Sequence, residues 1–364
     1  MARFAPGPPS EGRTLLAILR ALIALITLLA IVVIVLYGSY VRFTALEPPS
    51  VTPPPATLEV DRSGRRITYG DSWLAREGGR VRGVLPLFGA RGRSPRLFSA
   101  PGGLLADDAA VAEALLSPAR EAVRRERLAW LELRDQRTAW PGLETNDEHV
   151  TMILELAPDA AAQWRAFDSK LRNQVRKGEK AGFERHWGRE RTGLFYRVLL
   201  ENTRDLGSPI LGEAYYRQAL AGLGDAADVL VLTFSGDPAG AMFTVAHRDT
   251  LLDPWASSLR RHFARCPNQV LYWEALQRAI SRGLARFDFG RSQWNSPTFR
   301  FKEQWGAKPV ALHYQYVLGT AERIPTLAAQ RTTLDLAVRL WRRLPLPLAA
   351  ALGGRAKRLF PEVM

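Results

Sequence analysis

LYWEALQRAISRGLARFDFGRS, residues 271–292, is the stretch that decides the fold. Its first half has the apolar spacing of an amphipathic helix that ends at Gly283, and its second half, ARFDFGRS, has the composition of a strand. A strand, turn and strand pattern, ADVLVLTFSGDPAGAMFTVAHRD (residues 227–249), comes before it. This order of elements predicts an α+β fold, with mixed sheets partly covered by helices.

An earlier part of the chain has the same order of elements. SWLAREGGRVRGVLPLFG (residues 72–89) predicts a hairpin that turns at Gly78 and Gly79. DDAAVAEALLSPAREAVRRERL (residues 107–128) predicts a helix, with its two leading aspartates placed to cap it. AWLELRD (residues 129–135) then predicts a strand.

Two pairs of segments line up between these regions. RLAWLELRD (residues 127–135) lines up with GLARFDFGR (residues 283–291), and GRVRGVLPLF (residues 79–88) lines up with DPAGAMFTVA (residues 237–246). Self-similarity of this kind indicates an internal duplication. The sequence therefore predicts two tandem halves.

A basic segment lies between the two halves. DAAAQWRAFDSKLRNQVRKGEKAG (residues 159–182) predicts one helix that begins near Asp159 and ends at Gly182. Because a helix turns 100° per residue, its basic side chains fall on two stripes, and they could either bind an anionic donor or form a solvated face. Two more helices are predicted, over residues 195–206 and 213–223. The basic side chains are Lys170, Arg172, Arg176, Lys177 and Lys180.

The N-terminal region has the strongest single signal in the chain. Residues 21–38, ALIALITLLAIVVIVLYG, carry no charge and are about as long as a helix that crosses a bilayer. EPPSVTPPP (residues 47–55) follows and is typical of an extended spacer. We therefore expect a single-pass membrane anchor. The arginines before the segment favour a cytoplasmic N-terminus, with the rest of the chain on the other side.

Composition restricts the partners and the chemistry. The chain has 364 residues, 50 Lys plus Arg against 36 Asp plus Glu, and a formal charge of +14. Such an excess favours anionic partners such as nucleic acid, phosphorylated cofactors or acidic lipid. Cys266 is the single cysteine, which excludes an intrachain disulfide and a cysteine metal cluster. The five histidines do not fall at HxxxH or HxH spacing, so no metal is expected.

Two tripeptides of protein kinases occur in the chain, HRD (residues 247–249) and DFG (residues 288–290). The HRD tripeptide ends a strand pattern and has no metal-binding Asn after it. A Gly-rich phosphate loop, a VAIK lysine and an APE motif are also missing from the sequence. A kinase is therefore excluded. Asp288 and Arg291, at the end of a strand, are either site residues or a structural ion pair.

Four blocks, taken together, carry a family resemblance. They are SKLRNQVRKGEKAG (residues 169–182), NTRDLGSPIL (residues 202–211), the opening stretch, and FRFKEQWGAKPVALHYQY (residues 299–316). Over residues 73–346 the chain resembles the FemAB-like branch of the GNAT superfamily, and most closely its members associated with PEP-CTERM and exopolysaccharide systems. The resemblance implies tandem GNAT-like halves and transfer of an acyl or aminoacyl group to an amine, without metal or covalent enzyme intermediate.

The chain departs from the family at its N-terminal side. The first half is shortened before SWLARE, where relatives carry more strand and helix, and an anchor stands in front of it. The resemblance also places the active half in the cytoplasm, where acyl-CoA and aminoacyl-tRNA are found, whereas the arginine count favours the other side. We expect a cytoplasm-facing catalytic domain at the inner membrane.

Site residues follow from the chemistry and from the resemblance. An attacking amine must lose a proton, for which Asp288 and Glu274 are candidates. Lys302 resembles the lysine of the Fem-type FK block, which the resemblance places at the reacting carbonyl. The predicted catalytic residues are Lys302 and Asp288, and no metal ligand is predicted. The predicted substrate- and donor-binding residues are Lys170, Arg172, Arg176, Lys177, Arg204, Asp205, Trp273 and Arg291, with Trp273 alternatively a core residue.

The tail, residues 325–364, mixes apolar residues with arginines, so it could lie on an anionic bilayer or pack as a C-terminal helix. The domain prediction is an anchor and linker (1–56), a shortened GNAT-like half (57–157), a second half with the active site (158–324) and this tail.

The function expected is transfer of an acyl group from acyl-CoA or aminoacyl-tRNA, used as co-substrate, to an amine of a cell-envelope glycoconjugate such as a peptidoglycan precursor or exopolysaccharide. No permanently bound cofactor is expected. The alternative is a non-catalytic GNAT-like module that binds an envelope polysaccharide or an assembly partner. A nucleic-acid-binding basic protein is disfavoured, because no recognition helix or aromatic-basic repeat stands out.

Overall fold

The computed structural model describes residues 59–62, 72–90, 95–99, 102–135, 138–325 and 335–359. The chain divides into two units, Met1–Pro54 and Pro55–Met364, and every described residue belongs to the second. The predicted anchor, residues 21–38, lies outside the described residues. Among the helices that are described, none has the length and apolar character needed to span a bilayer.

The first of two sheets is built mostly from the N-terminal half. Its strands are β1 (Glu59–Arg62), β2 (Ser72–Glu77), β3 (Arg80–Ala90), β4 (Arg96–Ser99), β5 (Leu105–Ala106), β6 (Trp130–Asp135), β7 (Glu144–Asn146) and β15 (His313–Leu318). They run in the order β1-β2-β3-β4-β6-β15-β7, and β5 pairs with β3. Hairpin β2–β3 turns at Gly78 and Gly79, as predicted, because both glycines adopt positive φ.

The second sheet is built mostly from the C-terminal half. Its strands are β8 (His149–Glu155), β9 (Glu184–Trp187), β10 (Ala227–Phe234), β11 (Asp237–His247), β12 (Thr250–Ser258), β13 (Arg286–Gln293) and β14 (Lys308–Ala311). They run in the order β9-β10-β11-β12-β13-β8-β14. The predicted hairpin therefore forms as β10–β11, and the stretch FDFGRS lies in β13.

The two sheets have the same plan. In each, an antiparallel pair is followed by another antiparallel pair, then a parallel pair, β4–β6 or β12–β13, and then an antiparallel neighbour. That last neighbour is exchanged, since β15 completes the first sheet and β8 completes the second. The predicted α+β class and internal duplication are confirmed. The boundary at residue 157 stays a prediction. β8 lies before it and pairs with β13 after it, and β15 lies after it and pairs with β6 before it.

Helices cover the sheets on defined faces. They are α1 (Ala109–Arg125), α2 (Ala160–Ala166), α3 (Ser169–Lys180), α4 (Thr192–Leu206), α5 (Glu213–Leu223), α6 (Pro267–Ser281), α7 (Pro297–Glu303) and α8 (Leu346–Leu359). Helix α1 packs on the first sheet, whereas α2, α3, α6 and α7 pack on one face of the second sheet and α4, α5 and α8 on the other. Alternate residues of β10 supply these two faces, with Leu230 in one core and Val231 in the other.

The single helix predicted over residues 159–182 is two helices, α2 and α3. Phe167 is extended between them, with φ −72 and ψ 147, and it packs against Trp273 and Trp305. Asp168 Oδ1 accepts a hydrogen bond of 2.6 Å from the Leu171 amide and caps α3. An aspartate in this position competes with the helix for backbone donors, which is why the helix is interrupted here.

The tail packs against the second sheet's outer helices. The chain is helical over residues 335–341, and α8 follows. Ala349 is fully buried, and Trp341 and Leu344 are partly buried in the core that α4 and α5 form. Leu336 and Leu340 remain exposed. Of the two interpretations of the tail, packing is the one that these residues realise.

Candidate active site

The two parallel strands of the second sheet separate partway along their length. β12 and β13 pair at Thr250↔Arg286, Leu251↔Phe287 and Leu252↔Asp288, and at no later position in the described chain. Beyond this point β12 pairs with β11 again from Trp255↔Phe243, and β13 stays paired with β8 around a register shift. We refer to the region between the separated parts of β12 and β13 as the cleft, and an extended ligand could lie along it.

A β-bulge in β13 lies at the start of the cleft. The register of β13 against β8 shifts between Asp288 and Arg291, and Gly290, within the bulge, has φ +71. The Gly290 amide donates to Asp288 Oδ1 at 2.8 Å, and Thr151 Oγ1 donates to the same oxygen at 2.6 Å. Asp288 is therefore held in place by the bulge and by β8.

Lys302 approaches the same bulge from α7. Its side chain is buried, and Nζ donates to the carbonyl oxygens of Gly290 at 3.0 Å and of Arg291 at 2.9 Å. Burial lowers the pKa of Lys302, and the charges of Asp253 and Asp288 oppose that shift. The structure thus brings Lys302 and Asp288, the two predicted catalytic residues, to one bulge.

Asp253 lies beside the bulge and was not predicted as a candidate from the sequence. It is the first residue of β12 beyond the paired positions, it is 6% exposed, and Tyr272 donates a hydrogen bond to its carboxyl. A methyl group on Gly290 would lie 3.8 Å from Asp253 Oδ1. Burial raises the pKa of Asp253 to about 8, although the nearby Lys302 acts in the opposite direction. An aspartate inside a strand pattern, LLDPW, was the available signal.

The mouth of the cleft has residues from both sheets. Arg291 is exposed, and its Nη1 donates to Tyr314 Oη of β15 at 3.2 Å. The His149 ring stacks on Tyr314, with centroids 5.4 Å apart. Burial lowers the pKa of His149, and the charge of Arg291 adds to this effect. The sequence allowed an ion pair between Asp288 and Arg291. Instead, Asp288 bonds to Thr151 and the Gly290 amide, and Arg291 bonds to Tyr314.

A basic pocket lies where α3 ends and α6 begins. This cavity of about 510 Å³ is lined by Asn173, Arg176, Lys177, Lys180, Ala181, Ala264 and Arg265. The last two directly precede α6, whose N-terminus carries a partial positive charge. Helices α3 and α6 are in close contact at Gly178. A methyl group at this position would lie only 2.5 Å from Val270 Cγ2. Of the predicted donor-binding residues, Arg176 and Lys177 line the pocket, and Lys170 and Arg172 do not.

The other predicted site residues make packing contacts. Arg204 Nε donates to Asp205 Oδ1 at 2.7 Å, and Arg204 Nη1 donates to the Leu344 carbonyl at 2.8 Å. These residues belong to α4, on the face of the sheet opposite α7. Trp273 is buried against Trp164 and Phe167, so the structure places it in the core.

Glu274, the second candidate for the base, is occupied elsewhere. Its Oε1 accepts from Trp187 Nε1 at 3.0 Å, and its Oε2 lies 3.5 Å from Arg185 Nε. Within the described ranges, no three His, Cys, Asp or Glu side chains are grouped as a metal site would need.

Comparison with known proteins identifies the domain that contains this cleft. Residues 165–303 match an acetyltransferase (GNAT) domain. This part of the chain is similar to GNAT domains, which confirms the predicted resemblance to the GNAT superfamily. No protein of curated function matches the sequence significantly.

Solved structures resemble this chain at low sequence identity. The crystal structure of FemX has a TM-score of 0.55 at 13% identity, with 69% of this chain and 88% of FemX covered. The C-terminal domain of a proposed lysylphosphatidylglycerol synthetase from Agrobacterium fabrum has a TM-score of 0.51 at 12% identity, with 76% and 88% covered. A tandem GNAT protein from the clavulanic acid biosynthesis pathway has a TM-score of 0.48 at 15% identity, with 75% and 86% covered.

Proposed function

We propose that this chain is an N-acyltransferase or aminoacyltransferase of the FemAB-like type, and that the reaction takes place in the cleft between β12 and β13. The observation that carries this proposal is the separation of the two strands after Leu252↔Asp288, with a polar cluster at the point of separation. An acyl donor has an extended, amide-bearing or ester-bearing chain, and such a chain could lie between the separated parts of β12 and β13.

The chemistry needs a base and a group that stabilises negative charge. The amine nitrogen of the acceptor attacks the carbonyl carbon of the donor, the thioester or ester bond breaks, and the CoA thiolate or the tRNA ribose oxygen leaves. The amine loses one proton, which passes through the base to the leaving group. Both hydrogen bonds to Asp288 fall on Oδ1, so Oδ2 is the oxygen that would take this proton. Lys302 or Arg291 supplies the positive charge near the carbonyl oxygen.

The basic pocket supports an anionic donor. Arg176, Lys177, Lys180 and Arg265 converge at the start of α6, and phosphate groups are bound well by such an arrangement of cations and backbone amides. Both acyl-CoA and aminoacyl-tRNA carry phosphates. The two donors differ in how many phosphates they present, so salt dependence of binding separates them.

A membrane-linked acceptor is the part of the proposal that comes from the sequence. The apolar residues 21–38 would hold the GNAT domain near an envelope glycoconjugate made at the inner membrane. The expected cytoplasmic position of the GNAT domain is tested by fusing, after Pro55, a reporter that is active only in the cytoplasm. A reporter active only outside would overturn this orientation.

The proposed function is tested with the purified full chain and a panel of acyl-CoAs and charged tRNAs. We expect one donor class to bind and to be used, and we expect Lys302→Ala and Asp288→Asn to lose the transfer. Affinity for tRNA should fall steeply with salt. If no donor binds, or if neither substitution changes any transfer, the chain is instead the non-catalytic binding module.

A further inference from the structure

The backbone of the bulge is satisfied by side chains. The register shift between Asp288 and Arg291 takes this part of β13 out of the ladder with β8. The Gly290 amide bonds to Asp288, and the Gly290 and Arg291 carbonyls bond to Lys302. Buried carbonyl groups without a partner are costly, so Lys302 is what allows β13 to leave the ladder here.

The bonds of Lys302 leave little of its ammonium for a substrate. Two of its three N–H donors point to backbone oxygens, and the residue is 7% exposed. Its charge is balanced from two sides, by Asp253 and by Asp288. A group used in this way stabilises the protein and is poorly placed to meet a reacting carbonyl.

Arg291 has the opposite character. It is exposed, and the ion pairs found among the described residues give it no acidic partner. Its Nη1 bonds to the neutral hydroxyl of Tyr314, so the guanidinium keeps its full charge and most of its donors. Its own carbonyl is one of the two that Lys302 holds, which couples the position of Arg291 to Lys302.

We propose that Lys302 is a positioning residue and that Arg291 is the cation that meets the carbonyl oxygen or the anionic group of the substrate. Lys302 fixes the bulge through its bonds to the Gly290 and Arg291 carbonyls, and the bulge directs Arg291 to the mouth of the cleft beside Tyr314. This inference rests on the proposed function and differs from the role that the family resemblance implies for Lys302.

The test is a double-mutant cycle on the full chain, with the donor that the wild type uses. We expect Arg291→Gln and Lys302→Met each to lower kcat/KM by about 10²-fold. We expect the double variant to lose no more than Lys302→Met alone, because Arg291 is already misplaced once the bulge is lost. Losses that multiply would show that Lys302 acts on the substrate independently, which overturns the proposal.

A second measurement needs no turnover and therefore separates this inference from the proposed function. Amide hydrogen exchange at Arg291 and Ser292 should become faster in Lys302→Met and stay unchanged in Arg291→Gln. Lys308→Met, at an exposed lysine of β14, is the control and should change neither exchange nor transfer. Unchanged exchange in Lys302→Met would overturn the positioning role, whether or not transfer is detected.

Lys302→Arg serves where Lys302→Met does not fold. It keeps a cation at position 302, but its guanidinium cannot bond both carbonyls in the geometry of an ammonium. We expect faster exchange at the bulge and reduced kcat/KM. Wild-type values in both measurements would overturn the proposal.

Discussion

The parallel strand pairs of the two sheets have the same position in the same plan, and they differ at the next residue. In the first sheet, β4 and β6 pair at Leu97↔Leu131 and Phe98↔Glu132, and the Arg134 amide then donates to Ser99 Oγ at 2.8 Å. In the second sheet, β12 and β13 separate, and Asp253 follows the last pair. The Ser99 side chain thus continues the contact between β4 and β6, whereas β12 and β13 separate after Leu252↔Asp288.

The outer neighbours of these strands show the same contrast. β6 pairs with β15 without any register shift, from His313↔Asp135 to Leu318↔Trp130. β13 pairs with β8 around a bulge. In the sequence alignment of the halves, Arg134 takes the place of Gly290, and Arg134 Nε bonds to Glu132 at 2.6 Å. The proposed site thus lies in the copy of the repeated plan where a glycine bulge and a buried lysine interrupt the ladder.

The largest effect is expected from removing the lysine. Lys302→Met leaves the Gly290 and Arg291 carbonyl oxygens without their shared donor, and each buried acceptor left unsatisfied costs about 1–3 kcal/mol. The loss is measured as a decrease in the free energy of unfolding of the full chain in urea. The exposed Lys308→Met should stay within about 0.5 kcal/mol of wild type. Equal stability of the two variants would contradict the claim that Lys302 stabilises the bulge, which is what distinguishes the second sheet from the first.

Gly290→Ala is the next test. Because Gly290 has φ +71, a side chain there costs about 1–2 kcal/mol, and a displaced bulge should lower kcat/KM by about 10²-fold. Gly283→Ala is a matched control, since Gly283 has φ +68 and open space around it, at the end of α6. We expect both variants to lose similar stability and only Gly290→Ala to lose transfer. Full transfer in Gly290→Ala would contradict the role of the bulge.

The pH dependence of stability compares one buried acid from each half. Burial raises the pKa of Asp253 to about 8 and the pKa of Asp135 to about 7. A carboxyl whose folded pKa is raised contributes stability below its unfolded pKa, near 4, and this contribution is lost as pH rises through the folded pKa. The free energy of unfolding should therefore fall between pH 4 and pH 8.

Replacing each acid by its amide separates the two contributions. Asp253→Asn and Asp135→Asn should each flatten the fall in stability, by up to about 1 kcal/mol per pH unit. Only Asp253→Asn should also change the pH profile of kcat/KM, because Asp135 lies in the first sheet. If the pH profile of kcat/KM is unchanged in both variants, Asp253 does not contribute to the transfer reaction.

The smallest effect is expected at the basic pocket. Lys180→Gln removes one pocket cation, and it should weaken binding of a phosphate-bearing donor several-fold and reduce the salt slope by about 1. Lys170→Gln, on the same helix and outside the pocket, is the control. If the two variants bind the donor equally, the pocket is a solvated face, as one interpretation of the sequence allowed.

Local sequence signals predicted the elements well. The Gly78–Gly79 turn, the aspartate cap of α1, which is Asp108, and the order of hairpin, helix and strand in both halves are all confirmed. Each depends on a few neighbouring residues, so the sequence pattern contains the information. The break at Phe167 and Asp168 was missed, because the helical pattern continues through it. Asp168 caps α3 there, and Phe167 packs against tryptophans that are distant in the chain.

Contacts between distant residues could not be predicted in the same way. The exchange of β8 and β15 pairs strands that are far apart in the chain, and no local pattern encodes it. Asp288 and Lys302 were predicted through chemistry and resemblance and lie at one bulge, but the bonds of Lys302 to backbone carbonyls depend on how α7 packs. Asp253 was missed because its importance comes from where β12 and β13 separate.

The exchanged strands also set an order of events during synthesis. β15 pairs with both β6 and β7, and it leaves the ribosome only after nearly the whole GNAT domain has been made. Until then β6 has a free edge, which is a site for wrong pairing with other nascent chains. The first sheet is thus translated first and completed last. In a chain that stops before residue 313, β6 and β7 both lack the hydrogen-bonding partner that β15 provides.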